Sequence, residues 1–282
     1  MTLTAATGLL TCPHCHALLT LTEKTACCPS GHSFDVARQG YLNLLPRSAG
    51  ANADTAAMVA ARERFLATGA YRMIADAVAE AAGGLPASVT PARSSPPRVI
   101  VETGCGTGYY LAHVLEVFPD AVGVGVDVSV AAVKRAARAH PRMATVVADV
   151  WDRIPMPDGC ADAVLCVFAP RDPAEFARVL RPGGRLVVAI PAPGHLAALR
   201  RDHGLLAIEA GKENHVLEQM AGAFTLDHRV DLHGEATVTA AQASDLIAMG
   251  PNGFHAPAPV DAPERIAIDV TVLTFQRRFS SV

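Results

Sequence analysis

Short apolar strands alternate with helices along residues 98–190, and this alternation constrains the fold more than any other feature of the chain. A strand, a helix and another strand in succession predict parallel strands with helices on both faces of the sheet. The sequence therefore predicts an α/β fold on a mostly parallel sheet. The expected strands are 98–102, 121–127, 144–148, 161–168, 185–190, 224–232 and 266–277, and the expected helices are 110–118, 130–139, 173–180 and 239–248.

Composition excludes several classes of protein. The chain of 282 residues is 50% apolar with a net charge of only −3, which excludes intrinsic disorder. Its longest apolar run, residues 163–169, is far too short to cross a bilayer, and no signal peptide is recognisable at the start. Seven cysteines without a regular pattern argue against a disulfide scaffold. We therefore expect a cytoplasmic protein with no membrane partner.

Three regions are expected along the chain. Residues 1–50 form a Cys/His-rich unit that begins with a poorly determined tail at 1–11. Residues 51–97 form a helical segment and a linker, with Asp54 as the helix N-cap and a break between two helices at residues 69–71. The linker is the Pro- and Ser-rich stretch 83–97. Residues 98–282 carry the strand and helix alternation.

The cysteine cluster predicts a metal site. Cys12 and Cys15 are separated by two residues, Cys28 and His32 by three, and the two pairs by twelve. Three thiolates and one imidazole at such spacing suit a tetrahedral Zn²⁺, and a site with four protein ligands is structural. The spacing alone leaves alternatives, although Cys28 with His32 fits a zinc knuckle best: the alternatives are Cys27, His14 and His16.

A glycine loop follows the first predicted strand of the alternation. Gly104, Gly106 and Gly108 alternate in Glu-Thr-Gly-Cys-Gly-Thr-Gly, which lets a ligand approach the backbone without Cβ obstruction. The spacing differs from the fingerprint of dinucleotide-binding proteins. Asp127 ends the next strand, where a carboxylate can accept hydrogen bonds from both ribose hydroxyls. Asp149 follows the third strand, where it can receive an adenine amino group.

These elements, together with the Leu-Arg-Pro-Gly-Gly turn at 180–184, resemble the class I S-adenosylmethionine-dependent methyltransferases. The resemblance implies a Rossmann-like, mostly parallel sheet of seven strands, preceded here by a small zinc-binding domain. Joined to that domain, the whole chain resembles the RlmA family of 23S rRNA guanine-N1 methyltransferases. The motifs that carry this second resemblance are CPHC at 12–15, CPSGHSFDVARQGYLNLL at 28–45 and ARERFLATGAY at 61–71.

The family resemblance implies site residues and a substrate. It places zinc ligands on Cys12, Cys15, Cys28 and His32, and cofactor contacts on Tyr71, Gly106, Thr107 and His195. The target is a guanine in a hairpin loop of 23S rRNA, to which the zinc-binding domain docks. The stretch 248–252 is similar to the branch that modifies guanine 748 and confers tylosin-type macrolide resistance, rather than the branch that modifies guanine 745. A homodimer is left open.

The resemblance implies that residues 168–170, after the fourth strand, line the guanine pocket. The sequence identifies no general base for N1 deprotonation. Asp172 is a candidate, although an ordinary helix N-cap is the simpler role for it. Arg171 is a candidate for contacting guanine O6 or a phosphate. His195 could equally be a helix cap and Tyr71 a core aromatic. The alternative function is methyl transfer to another RNA or to a small molecule.

Overall fold

The protein was analysed as a computed structural model that describes residues 2–46, 53–83, 97–254 and 260–278. Most of the expected linker therefore lies outside the described residues. The strands are β1 (Thr20–Leu21), β2 (Thr25–Cys27), β3 (Ser33–Asp35), β4 (Leu42–Asn43), β5 (Arg98–Thr103), β6 (Ala121–Asp127), β7 (Met143–Val147), β8 (Ala161–Val167), β9 (Leu180–Pro191), β10 (Phe224–Val238) and β11 (Glu264–Arg277). The helices are α1 (Ala56–Leu66), α2 (Arg72–Gly83), α3 (Tyr109–Val117), α4 (Val130–Ala136), α5 (Pro173–Val179), α6 (Ala197–Asp202), α7 (Lys212–Met220) and α8 (Ala240–Ala248).

The main sheet has the strand order β10-β11-β9-β8-β5-β6-β7-β4. Neighbouring strands from β4 to β9 are parallel, and β11 runs antiparallel to both β9 and β10. Every residue of β7 and β8 is buried, as expected for strands covered on both faces. The predicted mostly parallel α/β fold is confirmed.

All seven predicted strands are present, and an eighth comes from the N-terminal region. Leu42 and Asn43 pair in parallel with the end of β7, and the amide of Leu44 donates to the carbonyl of Val147 at 2.9 Å. The three strands that precede β4 in the sequence form a separate small antiparallel sheet in the order β1-β2-β3. The N-terminal region thus shares backbone hydrogen bonds with the main sheet.

The expectation of a poorly determined tail at 1–11 is wrong. A 3₁₀ helix (Thr2–Ala6) packs against β6 and β7, and its residues Leu3 and Ala6 are buried, as is Leu10 after it. These apolar side chains are removed from water only by packing against the sheet. Because the sheet is formed by residues far along the chain, the local sequence did not indicate this packing.

The first long helical segment is divided as predicted, but its cap is different. Helix α1 ends before Gly69 and α2 begins after it. The N-cap is Thr55, whose side chain accepts a hydrogen bond from the Met58 amide, whereas the predicted cap Asp54 pairs with Arg62 at 2.6 Å. The carboxylate therefore pairs with an arginine of α1 itself and does not cap the helix. Helices α6 and α7 were not predicted.

No helix among the described residues is both long enough and apolar enough to cross a bilayer.

Candidate functional site

Four side chains of the N-terminal region converge on one point. The ligand atoms of Cys12, Cys15, Cys28 and His32 all lie within 4.8 Å of one another. The His32 Nδ1 atom lies 3.5 Å from the Sγ of Cys12 and 3.3 Å from the Sγ of Cys28. The Sγ atoms of Cys15 and Cys28 are 3.5 Å apart. This compact group of three sulfurs and one nitrogen fits a tetrahedral zinc ion with no open coordination position.

The alternative ligands lie elsewhere. The Cys27 thiol donates to the hydroxyl of Ser33 at 3.3 Å, and the His14 ring stacks on Phe34 with 5.9 Å between ring centres. His14 and His16 do not belong to the group of four. A hydrogen bond from the Ala17 amide, above all, lowers the pKa of the Cys15 thiol to about 6, which favours the thiolate that a metal requires.

A cavity of about 960 Å³ opens at the carboxyl ends of the parallel strands β5 to β9. This edge of an α/β sheet is where ligands bind, because the strands end there and the connecting loops separate. The cavity brings together most of the predicted cofactor residues from segments up to 124 residues apart. The predicted residues that line it are Tyr71, Gly104, Gly106, Thr107, Asp127, Asp149 and His195.

Gly108 is the exception among the predicted cofactor residues. It is the N-cap of α3 and does not line the cavity. A Cβ built on it would lie 2.6 Å from the Cε of Met143 and 3.2 Å from the Cβ of Ala136. Gly108 therefore allows close packing of the helix on the sheet beneath the loop.

The glycine loop is shaped by left-handed backbone at Gly104, with φ of +65°. A Cβ there would lie 2.5 Å from the Cβ of Ala169, so the loop after β5 passes too close to the loop after β8 for any side chain. The bare backbone makes a cradle along one wall of the cavity, which fits a nucleoside-bearing cofactor.

Two acidic residues support this loop from below. Asp127 accepts hydrogen bonds from the amides of Gly106 and Ser129, both at 2.8 Å, and thereby ties the loop to the end of β6. Burial raises the pKa of Asp127, and these two donors act in the opposite direction. Glu102 is buried, accepts from the Leu111 amide at 3.1 Å, and has its pKa raised to about 8 by burial above all.

Asp149 lies farther along the same wall. One of its carboxylate oxygens accepts from the Trp151 amide at 3.0 Å, and the residue is half-buried. The Trp151 side chain lines the cavity and is 61% exposed, so it presents an apolar face at the mouth.

Tyr71 and His195 form a buried pair. The Tyr71 hydroxyl lies 3.1 Å from His195 Nε2, while His195 Nδ1 accepts from the Asp269 amide at 3.2 Å. An acceptor at Nδ1 requires the proton of the neutral ring to lie on Nε2, so Nε2 donates to the tyrosine oxygen. Burial above all lowers the pKa of His195 to about 4, and the charge of Arg200 acts in the same direction. His195 is not the cap of α6, where Leu196 takes that position.

Phe168 lies beside both rings of this pair and lines the same cavity. It has a left-handed backbone with φ of +53°, which is costly for an aromatic residue, and its side chain is 40% exposed. Its ring is nearly parallel to the His195 ring, at 23° and 6.0 Å between centres. The strained turn after β8 therefore holds a flat apolar surface open to a ligand.

The candidate base Asp172 acts as the N-cap of α5. Its side chain accepts hydrogen bonds from the Ala174 and Glu175 amides at 3.0 and 3.2 Å, and it does not line the cavity. Arg171 does line the cavity.

Three basic residues of the cavity wall, Arg62, Arg200 and Lys212, were not singled out as site residues by the sequence. Arg62 lies so close to the glycine loop that a Cβ on Gly106 would come within 2.8 Å of its Nη1 atom. Arg62 belongs to the 61–71 motif, whereas Arg200 and Lys212 belong to no motif, and only the fold brings the three to one cavity.

Comparison with known proteins gives two family matches. Residues 10–49 match the model "RlmA, N-terminal", a zinc ribbon, and residues 100–184 match the model "Methyltransferase domain".

Curated relatives extend over most of the chain. It is 44% identical over 92% of its length, and 90% of the relative's, to the 23S rRNA (guanine(748)-N(1))-methyltransferase of Streptomyces fradiae. It is 42% identical to a Micromonospora griseorubida protein assigned as a 23S rRNA (guanine-N(1)-)-methyltransferase, over 87% of both chains. A Bacillus subtilis protein with the same assignment is 30% identical over 69% of this chain and 68% of its own.

The fold, the glycine cradle and the four-ligand cluster together define a class I S-adenosylmethionine-dependent methyltransferase with an N-terminal zinc ribbon. Within that class, the chain belongs to the RlmA family of rRNA (guanine-N1)-methyltransferases. Its cofactors are S-adenosylmethionine and a structural zinc ion.

Proposed function

We propose that this enzyme methylates N1 of a guanine in a hairpin loop of 23S rRNA, at the 748 position. The observation that carries the proposal is the 44% identity to the Streptomyces fradiae enzyme over nearly the full length of both chains. Such a methyl group removes a hydrogen-bond donor and adds bulk at the base edge, and we propose that it lowers susceptibility to tylosin-type macrolides. Because its substrate is ribosomal RNA, we place the enzyme in the cytoplasm.

The cofactor is proposed to lie along the glycine loop. Asp127 would accept from the ribose hydroxyls and Asp149 from the adenine amino group, because both carboxylates line the cavity at the ends of adjacent strands. The backbone at Gly104, Gly106 and Thr107 would lie against the cofactor, with Gly108 supporting the loop from behind. When bound, S-adenosylmethionine supplies a methyl group on a sulfonium, which needs no further activation.

Tyr71 and His195 would bound the cofactor at the far end of the cavity. The Nε2 proton of His195 donates to Tyr71, which leaves the tyrosine hydroxyl proton free to donate to a ligand. Because the ring is neutral and both of its nitrogens are engaged, His195 positions Tyr71 and does not remove protons.

The target base would stack on Phe168. Its exposed ring lies at the cavity wall, between the buried aromatic pair and solvent, and a base taken out of its loop needs a flat apolar partner. The chain then contributes alignment of N1 with the methyl group, which is the largest part of such catalysis. The N1 proton is released to solvent, because Asp172 is held at a helix N-terminus.

The zinc ribbon is proposed to dock on the RNA hairpin. The ligands Cys12, Cys15, Cys28 and His32 would hold Zn²⁺ and fix this region, residues 1–50, against the sheet edge through β4. The methyltransferase region, residues 98–282, would then carry the cofactor and the base. Residues 51–97 would connect the two.

Methyl transfer to 23S rRNA tests the proposal. The purified protein is incubated with labelled S-adenosylmethionine and unmodified 23S rRNA, and the product is mapped by reverse transcription. An N1-methylguanine blocks Watson–Crick pairing, so a stop next to guanine 748 is expected. Asp127→Ala is the control, because it should lose cofactor binding without changing the RNA-facing residues.

A stop at guanine 745, or label entering a different RNA or a small molecule, would contradict the proposal. Mass spectrometry of 23S rRNA from cells with and without the gene then checks the same site in vivo. The resistance role fails if tylosin susceptibility is the same in both strains while the methyl group is present.

A further inference from the structure

Part of the cavity wall is basic. Arg171, Arg200 and Lys212 line this wall and are half-buried. Among the described residues, none of the three has a carboxylate oxygen within the 4.0 Å of an ion pair. Arg62, the remaining basic residue of the lining, is paired with Asp54 at 2.6 Å. Three positive charges of the cavity therefore have no ion-pair partner within the part of the chain that the structure describes.

Backbone carbonyl groups hold the two arginines in place. Arg171 donates through Nη1 to the Ala169 carbonyl at 3.2 Å, and Arg200 donates through Nη2 to the Pro193 carbonyl at 2.6 Å. The Nε atom of Arg200 is buried and has no hydrogen-bond partner. Arg171 also donates through Nε to Oε1 of Gln219 at 3.4 Å. Each guanidinium group still keeps N–H donors for a ligand.

Arg171 lies near Lys212, and Arg200 lies near His195 of the aromatic surface. After burial, the charge of Arg171 is the next cause that lowers the pKa of Lys212. In the same way, the charge of Arg200 lowers the pKa of His195, on which Phe168 stacks. Lys212 is also the first residue of α7, whose N-terminal amides add positive potential. Half-buried cations that repel one another favour an anionic ligand between them.

We infer that Arg171, Arg200 and Lys212 form a phosphate-binding site for the RNA backbone beside the target base. The inference rests on the proposed function for the identity of the RNA. Guanidinium and ammonium groups bind phosphate oxygens by charge-assisted hydrogen bonds, whatever the base sequence. With the base on Phe168, the neighbouring phosphates would lie against these three side chains. The site therefore positions the flipped nucleotide and does not read its identity.

Equilibrium binding of RNA to the full-length, zinc-loaded protein tests this site. Arg171→Gln, Arg200→Gln and Lys212→Gln are compared with wild type by fluorescence anisotropy at several salt concentrations. One probe is the 23S rRNA hairpin, and the other is a short single-stranded RNA of unrelated sequence. Arg201→Gln is the matched control, because Arg201 neighbours Arg200 on α6 but is 73% exposed and paired with Asp202.

Each of the three variants should weaken binding of both RNAs by about tenfold and reduce the slope of log affinity against log salt by about 0.7. Arg201→Gln should bind like wild type. Calorimetry should show that Arg171→Gln and Lys212→Gln keep the wild-type affinity for S-adenosylmethionine, which excludes misfolding as the cause.

The two failures are distinguishable. If wild type methylates the hairpin but the three variants bind both RNAs with unchanged affinity and slope, the phosphate site is overturned and the proposed function stands. If wild type does not methylate the hairpin, while the variants still weaken binding of the unrelated RNA, the proposed function fails and the site stands. An equal loss in Arg201→Gln would also overturn the site.

Discussion

The metal cluster and the cavity are built in opposite ways. The four atoms of the cluster come from residues 12–32, and two short turns bring them within 4.8 Å. The cavity takes Tyr71, Asp127, Phe168 and His195 from four segments that only the sheet brings together. The cluster therefore depends on local chain geometry and a metal ion, whereas the cavity depends on the packing of the whole domain. A single substitution should disable the first and only weaken the second.

The largest effect is expected at the cluster. Cys28→Ser should release the zinc ion, and since a structural zinc contributes about 10–16 kcal/mol in small domains, residues 10–46 should lose their structure. Cys27→Ser is the matched control, because its thiol bonds Ser33 outside the cluster. Metal analysis checks the prediction, and hydrogen exchange shows whether protection at β7 falls when β4 is lost. Zinc retained in Cys28→Ser and lost in Cys27→Ser would reverse the ligand assignment.

At the cavity, Gly104→Ala should cost about 2–5 kcal/mol of stability, from a left-handed backbone and from overlap with Ala169. Gly183→Ala is the matched control: it has a similar φ of +76° but no atom within 4 Å of the added Cβ. It should cost only about 1–2 kcal/mol. Urea denaturation measures both. Calorimetry should show weaker S-adenosylmethionine binding in Gly104→Ala only, and equal losses in both variants would remove the close approach as the reason for this glycine.

Glu102 should make the stability of the domain depend on pH. Its pKa is raised to about 8 in the folded chain, well above that of an exposed glutamate, so the folded state holds this proton longer than the unfolded state. Below the ordinary pKa of glutamate, this carboxyl is neutral in both the folded and the unfolded state. As the pH rises from there towards 8, the free energy of unfolding of the domain falls. Glu102→Gln removes this loss. The difference in the free energy of unfolding between the variant and wild type should therefore shift in favour of the variant by about 2–3 kcal/mol from pH 5 to pH 7.

Thermal unfolding of both forms across this range measures the difference. Glu80→Gln is the matched control, since Glu80 is exposed and its substitution should not change the pH dependence in this way. A constant difference between Glu102→Gln and wild type at all pH values would show that the buried carboxyl is already ionised.

The smallest effect is expected at Asp172, just outside the cavity. As an N-cap, Asp172→Ala should cost about 1 kcal/mol of stability, while Asp172→Asn should cost little because asparagine caps helices equally well. Both variants should keep the wild-type kcat at saturating RNA. A loss of kcat in Asp172→Asn with unchanged stability would instead make this carboxylate the general base.

The local patterns of the sequence were sufficient for much of the fold. Apolar strands alternating with helices predicted the parallel core of the sheet. Such a prediction is possible because the pattern of apolar residues along a segment reports whether it is buried on one face or on both. The ligand spacing of the zinc ribbon and the glycine loop were equally local. The helix predicted over 239–248 begins within one residue of α8, which Thr239 caps together with Gln242.

Contacts between distant segments were not accessible in this way. The 3₁₀ helix at the N-terminus and the strand β4 depend on partners from other regions of the chain. The same holds for the hydrogen bond between Tyr71 and His195, which are 124 residues apart. The role of each of these side chains depends on which residues the folded sheet places next to it, and the residue type alone does not reveal those neighbours.

The sequence by itself therefore determined the elements, the metal ligand spacing and the loop that a cofactor requires, since each depends on neighbours along the chain. Only the tertiary structure decided that Phe168 is held exposed on a strained backbone. It also decided that Arg171, Arg200 and Lys212 line the same cavity with no ion-pair partner among the described residues. The physical reason is that burial and charge compensation are properties of assembled surfaces, which exist only once the strands have been placed in order.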